Sequence, residues 1–530
     1  MITLLDYGAG NVRSLVNAVE RLGETVRPVA GPDDLDRAER LLFPGVGNFG
    51  ALMRSLADKG LREPLVRYLR SGRPFFGICV GLQALYEGSE EADEPGLGLL
   101  PGRVRRFPGD LAVPHIGWNG IRARRPSPLF AGLSGEEKLY FVHSYHVPAD
   151  PADDRPEALA LTDYGRPFVS IAELGEHRYA TQFHPEKSGE AGLTILKNFL
   201  AGTREAVTLA RCPEQTELAR RVIACLDVRA NDAGDLVVTK GDQYDVREKG
   251  DVRNLGKPVA LAADYYAQGA DEITFLNITG FRDFPLNDQP MLRVLEETSK
   301  KVFVPLTIGG GIRDFVDKNG VYTPALTVAD RYFRAGADKV SIGSDAVAIV
   351  EGFLESGEAD GASAIETIAR VYGNQAVVIS IDPRRVYVPA PEAAPHPRIQ
   401  VIETETPGPR GERFCWYQCT VKGGREGRPV DAITLAQVCE QLGAGEILLN
   451  CIDRDGTNSG FDLELVRAVK RAVGIPVIAS SGAGAAAHFV EVFTQTDADA
   501  ALAAGIFHRK EVPIAEVKAA LAVAGLPARR

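Results

Sequence analysis

The sequence is short of several features that would assign it a partner. It has no apolar run approaching the about 20 residues that cross a bilayer. It also lacks a block of positive charge: the net charge is −11, and the basic runs Arg103 to Arg106 and Arg122 to Arg125 are short and interrupted by apolar residues. Binding to a phosphate backbone needs a concentrated basic face, so nucleic acid is not an expected partner. These arginines read as a solvated surface or a domain contact. Cysteines number seven and are scattered, and the start MITLLDYGAG has neither a charged leader nor a long apolar core. Both point to a reduced cytoplasm as the compartment. Cys415 and Cys419 have loose metal-ligand spacing, but no second Cys or His pair accompanies them, so neither a metal nor a cofactor is called for.

What is present is length and apolar mass: 530 residues, 45% of them hydrophobic, enough for at least two domains with sizeable cores. One stretch organises the first of them. In FFGICVGLQ, Phe75 to Gln83, an apolar strand runs into Gly77, then Cys79, then Gly81 and the opening of a helix. This is the frame G-x-nucleophile-x-G, in which the glycines allow a sharp turn and the next N–H faces a developing oxyanion. Most free cysteines are small buried hydrophobes, so a reactive Cys79 needs a base. TQFHPEKS supplies one: Tyr179 to Phe183 reads as a strand, and His184 and Glu186, two apart, share a face as they leave it. Nucleophile, base and orienting carboxylate are then Cys79, His184 and Glu186.

GICVGLQ followed by QFHPEKS resembles the class I, triad-type glutamine amidotransferases. DYGAGN (Asp6 to Asn11), PGVGNFG (Pro44 to Gly50), HIGWN (His115 to Asn119) and FVHSYHV (Phe141 to Val147) narrow the likeness to the amidotransferase part of imidazole glycerol phosphate synthase, over Met1 to about Leu200. The resemblance implies that Cys79 attacks the carboxamide of glutamine while His184, held by Glu186, shuttles protons. It further implies an oxyanion hole from Gly45 to Gly47 and the N–H of Val80, with Gln83, His143, Ser144 and Tyr145 against bound glutamine, and ammonia as the product.

Alternating strands (Met1 to Leu5, Leu41 to Phe43, Pro74 to Ile78) and helices (Ser14 to Leu22, Gly50 to Asp58) predict an open α/β sheet, largely parallel, for residues 1–203. Thr203 to Leu218 has no apolar face and contains Pro213, so residues 204–218 read as a linker. From Ala219 the pattern changes to short, fully apolar runs: VIACLDV, EITFLNI, VPLTIGG, KVSIGS, AVVISID, EILLNCID, IPVIASS and AALAAG. Eight buried strands separated by helical stretches predict a (β/α)8 barrel over residues 219–530. Asp317 to Leu326 and Arg384 to Arg413 enlarge the loops after strands three and five, on the face where barrel enzymes build function. The longer reads as a mobile surface insertion before it reads as a lid.

The barrel repeats itself. VPLTIGGGIRD answers IPVIASSGAGA, and CLDVR answers SIDPR, pairing strand three with seven and one with five. Glycine-rich turns expose N–H groups that cradle phosphate. Gly309, Gly310 and Gly311 with Gly343 and Ser344 form one such site, and Ser480, Ser481 and Gly482 with Ala504 and Gly505 the other, which suits a substrate with a phosphate at each end. Asp227 and Asp382 stand at matched strand ends between them, as a general acid and base pair would; alternatively each caps a helix or pairs with Lys240 or Arg229.

CLDV, VTKGDQ, GGGIR, DKVSIGS, NCIDRDGTNSG and IASSGAG make the barrel similar to the cyclase subunit of the same synthase. The likeness implies that Asp227 and Asp382 are the acid/base pair, that Lys240 and Asp455 assist, and that Gly456 and Thr457 join the phosphate contacts. Asn277, where many free-standing cyclases carry Asp, and Ser481, where they carry a second glycine, depart from the pattern. It implies cyclisation of a phosphoribulosyl formimino carboxamide ribotide with ammonia that enters through a charged ring of Arg221, Glu272, Lys339 and Glu446. Such a ring is also a plain stability feature. Lys187 and Asp338 occupy positions whose charges pair across the domain contact in the family. An isomerase barrel, a pyridoxal phosphate-forming barrel and a non-catalytic glutamine and sugar-phosphate sensor are the alternatives. The isomerase consumes no nitrogen, the second needs strand-end lysines beyond Lys240, and the third leaves the five acid, base and nucleophile residues without a purpose.

Overall fold

The computed structural model describes residues 1–8, 10–45, 47–149, 155–230, 236–239, 247–248, 251–252, 257–278, 289–316 and 320–529. The amino-terminal half is built on an eight-stranded sheet. Val26–Pro28, Ile2–Leu4, Leu41–Phe43, Phe75–Ile78 and Arg178–Thr181 lie parallel in that spatial order. Arg166–Glu173, Ala158–Tyr164 and Arg122–Ala123 complete it in antiparallel pairing. The sheet is therefore less parallel than the alternation of elements predicts. The links at Gly165 and at Leu174 to His177 are hairpins, which can join only antiparallel neighbours. Helices Val12–Arg21, Phe49–Asp58, Arg62–Arg70 and Gly189–Ala201 cover the faces.

Residues 203–218 run as an irregular strap along this half. Ser127 and Val207 exchange N–H···O bonds at 3.1 Å, Arg211 N donates to Ser134 O at 2.9 Å, and Leu209 is buried in the core.

In the carboxyl-terminal half, Arg221–Ala230, Glu272–Asn277, Leu306–Gly309, Lys339–Ile342, Val377–Ile381, Glu446–Asn450, Val477–Ser480 and Ala500–Ala503 form successive parallel pairs. The last pairs back onto the first and closes the barrel. Each strand reads as apolar throughout because one face packs on the outer helices and the other fills the lumen. Within the lumen Ile223, Cys225, Val378, Leu448, Ile478, Ala500 and Leu502 form a separate buried cluster.

The insertion after strand five extends beyond the expected Arg384 to Arg413, running on to Asp431, and is folded, not a loose loop. Pro383–Val388, Ile402–Glu403, Phe414–Val421 and Glu426–Asp431 make an antiparallel sheet, with Val388, Ile399 and Trp416 as its own small core. Arg385 clasps it to the barrel, meeting Asp462 at 2.8 Å and Glu464 at 2.9 Å. Among the described residues no helix is long and apolar enough to cross a membrane.

Candidate active sites

Cys79 and His184 leave neighbouring strands. Phe75–Ile78 and Arg178–Thr181 pair in parallel with Ile78 opposite Thr181, so the residues that follow each strand emerge side by side. Cys79 takes φ +53, a conformation that costs a non-glycine residue about 1–3 kcal/mol and persists only where the surroundings enforce it. The enforcement is local: Cys79 N donates to Thr181 O at 2.6 Å, and helix Val80–Gln83 starts at the next residue. Gly45 lies against this turn, and a Cβ there would fall 2.4 Å from Gly81 N and 2.5 Å from Ile78 O. Only glycine lets the backbone that follows strand Leu41–Phe43 approach the elbow so closely at this position.

His184 Nδ1 sits 2.8 Å from Glu186 Oε1, both side chains buried. Burial alone would lower the imidazole pKa, but Glu186, and Cys79 after it, raise it to about 10. His184 is therefore protonated at neutral pH, beside the sulfur.

Two of the residues expected against glutamine are held on one carbonyl: Gln83 Nε2 and His143 Nδ1 donate to Tyr145 O at 2.9 and 2.7 Å. Behind them His115 Nδ1 donates to His143 Nε2 at 3.2 Å, and Asn119 Nδ2 approaches His115 Nε2 at 3.4 Å. Burial keeps both rings neutral, lowering His143 to about 3 and His115 well below its usual value. The Ser144 hydroxyl donates across the interface to Asn374 Oδ1 at 3.0 Å. Gln182, which pattern reading passes over, reaches Cys79 Sγ with its Nε2 at 3.4 Å and takes a bond from Gln83 on its Oε1 at 3.2 Å. Glu91 is also unanticipated: its carboxylate accepts from Phe49 N at 2.8 Å, and burial raises its pKa to about 7.

At the strand starts of the barrel, Arg221, Glu272, Lys339 and Glu446 close a ring. Arg221 meets Glu272 at 3.2 Å and Glu446 more closely. Lys339 meets Glu272 at 2.7 Å and Glu446 at 2.6 Å. All four are buried, and each cation touches both anions, which is how buried charges are made tolerable. Burial opposes the charge of Arg221, but the two glutamates raise its pKa; Arg221 and Lys339 in turn lower Glu446 against burial. Tyr140, on the same strand as His143, has a buried hydroxyl with no hydrogen-bond partner among the described residues, and its pKa is raised by burial and then by the nearby Glu272.

At the strand ends a cavity of about 600 Å³ gathers Asp227, Asn277, Gly309 to Gly311, Gly343, Ser344, Asp382, Asp455, Gly456, Ser480 to Gly482, Ala504 and Gly505. Both glycine-rich turns and both strand-end aspartates thus share one space. Gly310 has φ +102, and a Cβ on it would fall 2.4 Å from Asn277 O. Ser481 adopts φ +72, a left-handed conformation that keeps this turn under strain in a non-glycine residue. Asp382 Oδ1 accepts from Asn450 Nδ2 at 2.9 Å. Its pKa is raised, chiefly by burial and further by Asp455, against the hydrogen bond from Asn450.

Thr457 does not line the cavity, since its hydroxyl turns back to Arg454 O at 2.8 Å and to Ser459 Oγ at 2.7 Å. Lys240 lies outside the described residues. Four cations missed by pattern reading do line the cavity, Arg313, Lys422, Arg425 and Arg509. Two come from the insertion, where no strand or helix period marks them.

A cysteine elbow with a carboxylate-held histidine, joined to a barrel with a two-ended polar cavity, defines a glutamine amidotransferase fused to a phosphate-handling barrel. Family models agree: glutamine amidotransferase class-I matches residues 3–203 and histidine biosynthesis protein matches 221–513. The chain is 57% identical to imidazole glycerol phosphate synthase hisHF, chloroplastic, of Arabidopsis thaliana over 98% of its own length and 88% of the relative's. It is 56% identical to the hisHF synthase of Schizosaccharomyces pombe over 99% and 98%. The HisF subunit of Thermobifida fusca is 42% identical over 59% of this chain and 99% of its own. The chain belongs to the bifunctional imidazole glycerol phosphate synthase hisHF family, an enzyme family of histidine biosynthesis that unites glutaminase and cyclase. These full-length likenesses give no support to the isomerase or the sensor.

Proposed function

We propose that residues 1–203 hydrolyse glutamine, that 204–218 link the halves, and that residues 219–530 use the ammonia to form imidazole glycerol phosphate and aminoimidazole carboxamide ribotide from the phosphoribulosyl formimino carboxamide ribotide. Cys79 Sγ attacks the carboxamide carbon while N–H groups of Gly45 to Gly47 and of Val80 receive the oxyanion. The protonated His184, fixed by Glu186, gives its proton to the departing nitrogen. Water then releases glutamate from the thioester, and His184 takes that proton back.

Ammonia passes the Arg221–Glu272–Lys339–Glu446 ring by transient parting of one ion pair. Beyond it the lumen of Ile223, Val378, Leu448, Ile478 and Leu502 admits neutral ammonia and penalises ammonium. At the strand ends Asp227 and Asp382 move the protons of ring closure and C–N cleavage. Burial brings Asp382 toward the range in which a carboxyl can both hold and release a proton.

The observation that carries the reading is polarity along the strands: the charged ring stands on their first residues, the cavity on their last, and Lys187 beside the triad touches Asp338 beside the ring. A product assay with glutamine against ammonium salt as nitrogen source tests it. Imidazole product from both is expected; failure with both would remove the cyclase reading, and failure with glutamine alone would remove the coupled glutaminase.

A further inference from the structure

The insertion after strand five enters the cavity. A short turn joins its strands Phe414–Val421 and Glu426–Asp431, and Lys422, Gly423 and Arg425 of that turn form part of the cavity wall. The turn is fixed at its root: Thr420 gives both its N–H, at 3.1 Å, and its hydroxyl, at 2.6 Å, to the carbonyl of Asp382. It is also fixed at its tip, where Lys422 N donates to Ser344 Oγ at 3.1 Å. Lys422 takes φ +57, which a lysine adopts only when its neighbours hold it there. The backbone is therefore registered on the same aspartate and the same phosphate-type turn that it overhangs.

The Lys422 side chain is not committed in the same way. Its Nζ pairs with Glu426 at 2.8 Å, but the two are 69% and 39% exposed, and such a pair contributes at most about 1 kcal/mol. A phosphate in the cavity, against the start of helix Ser344–Ser356, offers the ammonium a stronger counter-charge. Arg313 lines the same end. The acid there, Asp345, has its pKa raised by burial, with Arg313 acting in the opposite sense. The other end differs. Arg509 lies beside Gly505 but is held by Glu511 through two bonds at 2.6 and 2.7 Å. Two backbone turns that match by repeat are thus unequal in the side-chain charge around them.

We propose that the Lys422–Arg425 turn is a specificity clamp whose two cations close on the phosphate ester seated at Gly343 and Ser344, and so fix which end of the two-phosphate substrate lies there. This rests on the cyclase reading above. The two strand-end turns correspond by repeat, and the insertion adds Lys422 and Arg425 to the cavity wall, with Lys422 fixed at the Ser344 end.

The test uses the full chain with Lys422→Gln, Arg425→Gln and the double substitution, assayed with ammonium salt. For the double variant we expect the KM of the bis-phosphorylated substrate to rise about tenfold or more, with kcat nearly unchanged. Glutaminase activity without barrel substrate, far from the turn, should match the parent and so report an intact fold. The two products each keep one phosphate, so inhibition by each is measured separately. Weakened inhibition by one of them supports the clamp; equal weakening of both, or of neither, overturns it. A parent that forms no imidazole product would instead bring down the cyclase reading.

Discussion

Lys187 Nζ lies 2.6 Å from Asp338 Oδ2, and the two side chains are only 2% and 16% exposed. Lys187 follows the His184-Pro185-Glu186 triplet, and Asp338 precedes Lys339 of the charged ring, so this ion pair ties the segment that carries His184 to the strand starts of the barrel. Asp338 is held from both halves, accepting from Asn11 Nδ2 at 2.8 Å and from Leu306 N at 2.8 Å. Around it Asn17 Nδ2 reaches Ser299 Oγ at 2.9 Å, and Trp118 Nε1 reaches Asp271 O at 3.1 Å. Arg529 lies over the Trp118 ring at 4.1 Å.

Lys187→Ala should therefore misalign the halves without separating them. Breaking a buried pair can cost about 3–5 kcal/mol when one charge is stranded, but Asp338 keeps two donors and a water-accessible edge, and the strap at 203–218 keeps the halves joined. Glutamate and imidazole product are measured in one reaction. The expected result is glutamate in excess, from leaked ammonia; a one-to-one ratio at the parental rate would count against the pair as an alignment device.

Cys79→Ala should abolish synthesis from glutamine and spare synthesis from ammonium salt at alkaline pH. The elbow and the cavity share no residue, and the barrel core is continuous without the thiol. Loss of both activities in a folded variant would refute the division of labour.

Asp382→Asn keeps the size of the side chain and its contact with Asn450, and removes the exchangeable proton; Asp227→Asn does the same across the cavity. Cyclisation with ammonia should fall about a hundredfold or more in each, with KM little changed. Near-parental rates from either variant would discard that residue as acid or base.

Much of this was legible in the sequence because it rests on local pattern. The eight barrel strands are apolar on both faces, and the elbow needs glycines at fixed offsets from Cys79. What was not legible depends on distant partners. The antiparallel edge of the first sheet is set by hairpins at Gly165 and Gly175 within segments whose apolar content resembles that of parallel strands. The insertion folds because Arg385 finds Asp462 and Glu464 some 80 residues on, and its Pro, Gly and charge content conceals that. Thr457 shares a motif with Gly456 but spends its hydroxyl on its own turn, which a motif does not encode.

The buried histidines beside the glutaminase site carry the last prediction. His146 stacks on Phe107 with centroids 4.1 Å apart and rings 10° from parallel, and its Nδ1 has no hydrogen-bond partner among the described residues. Burial lowers its pKa to about 4, aided by the charges of Arg105 and Arg166 and opposed by a backbone bond at Arg105. Between about pH 4 and its ordinary value near 6.5 the unfolded chain holds a proton that the folded chain refuses, so stability rises with pH in that window and is lost as pH falls through it. From pH 7 to pH 5 this one group should remove about 2 kcal/mol. His143 and His115, both lowered by burial, add loss of the same sign. His146→Phe preserves the stack on Phe107 and deletes the titration. Thermal unfolding of the full chain should show the first transition falling less between pH 7 and pH 5 in the variant than in the parent. An identical fall in both would mean that His146 does not set the acid sensitivity of this half.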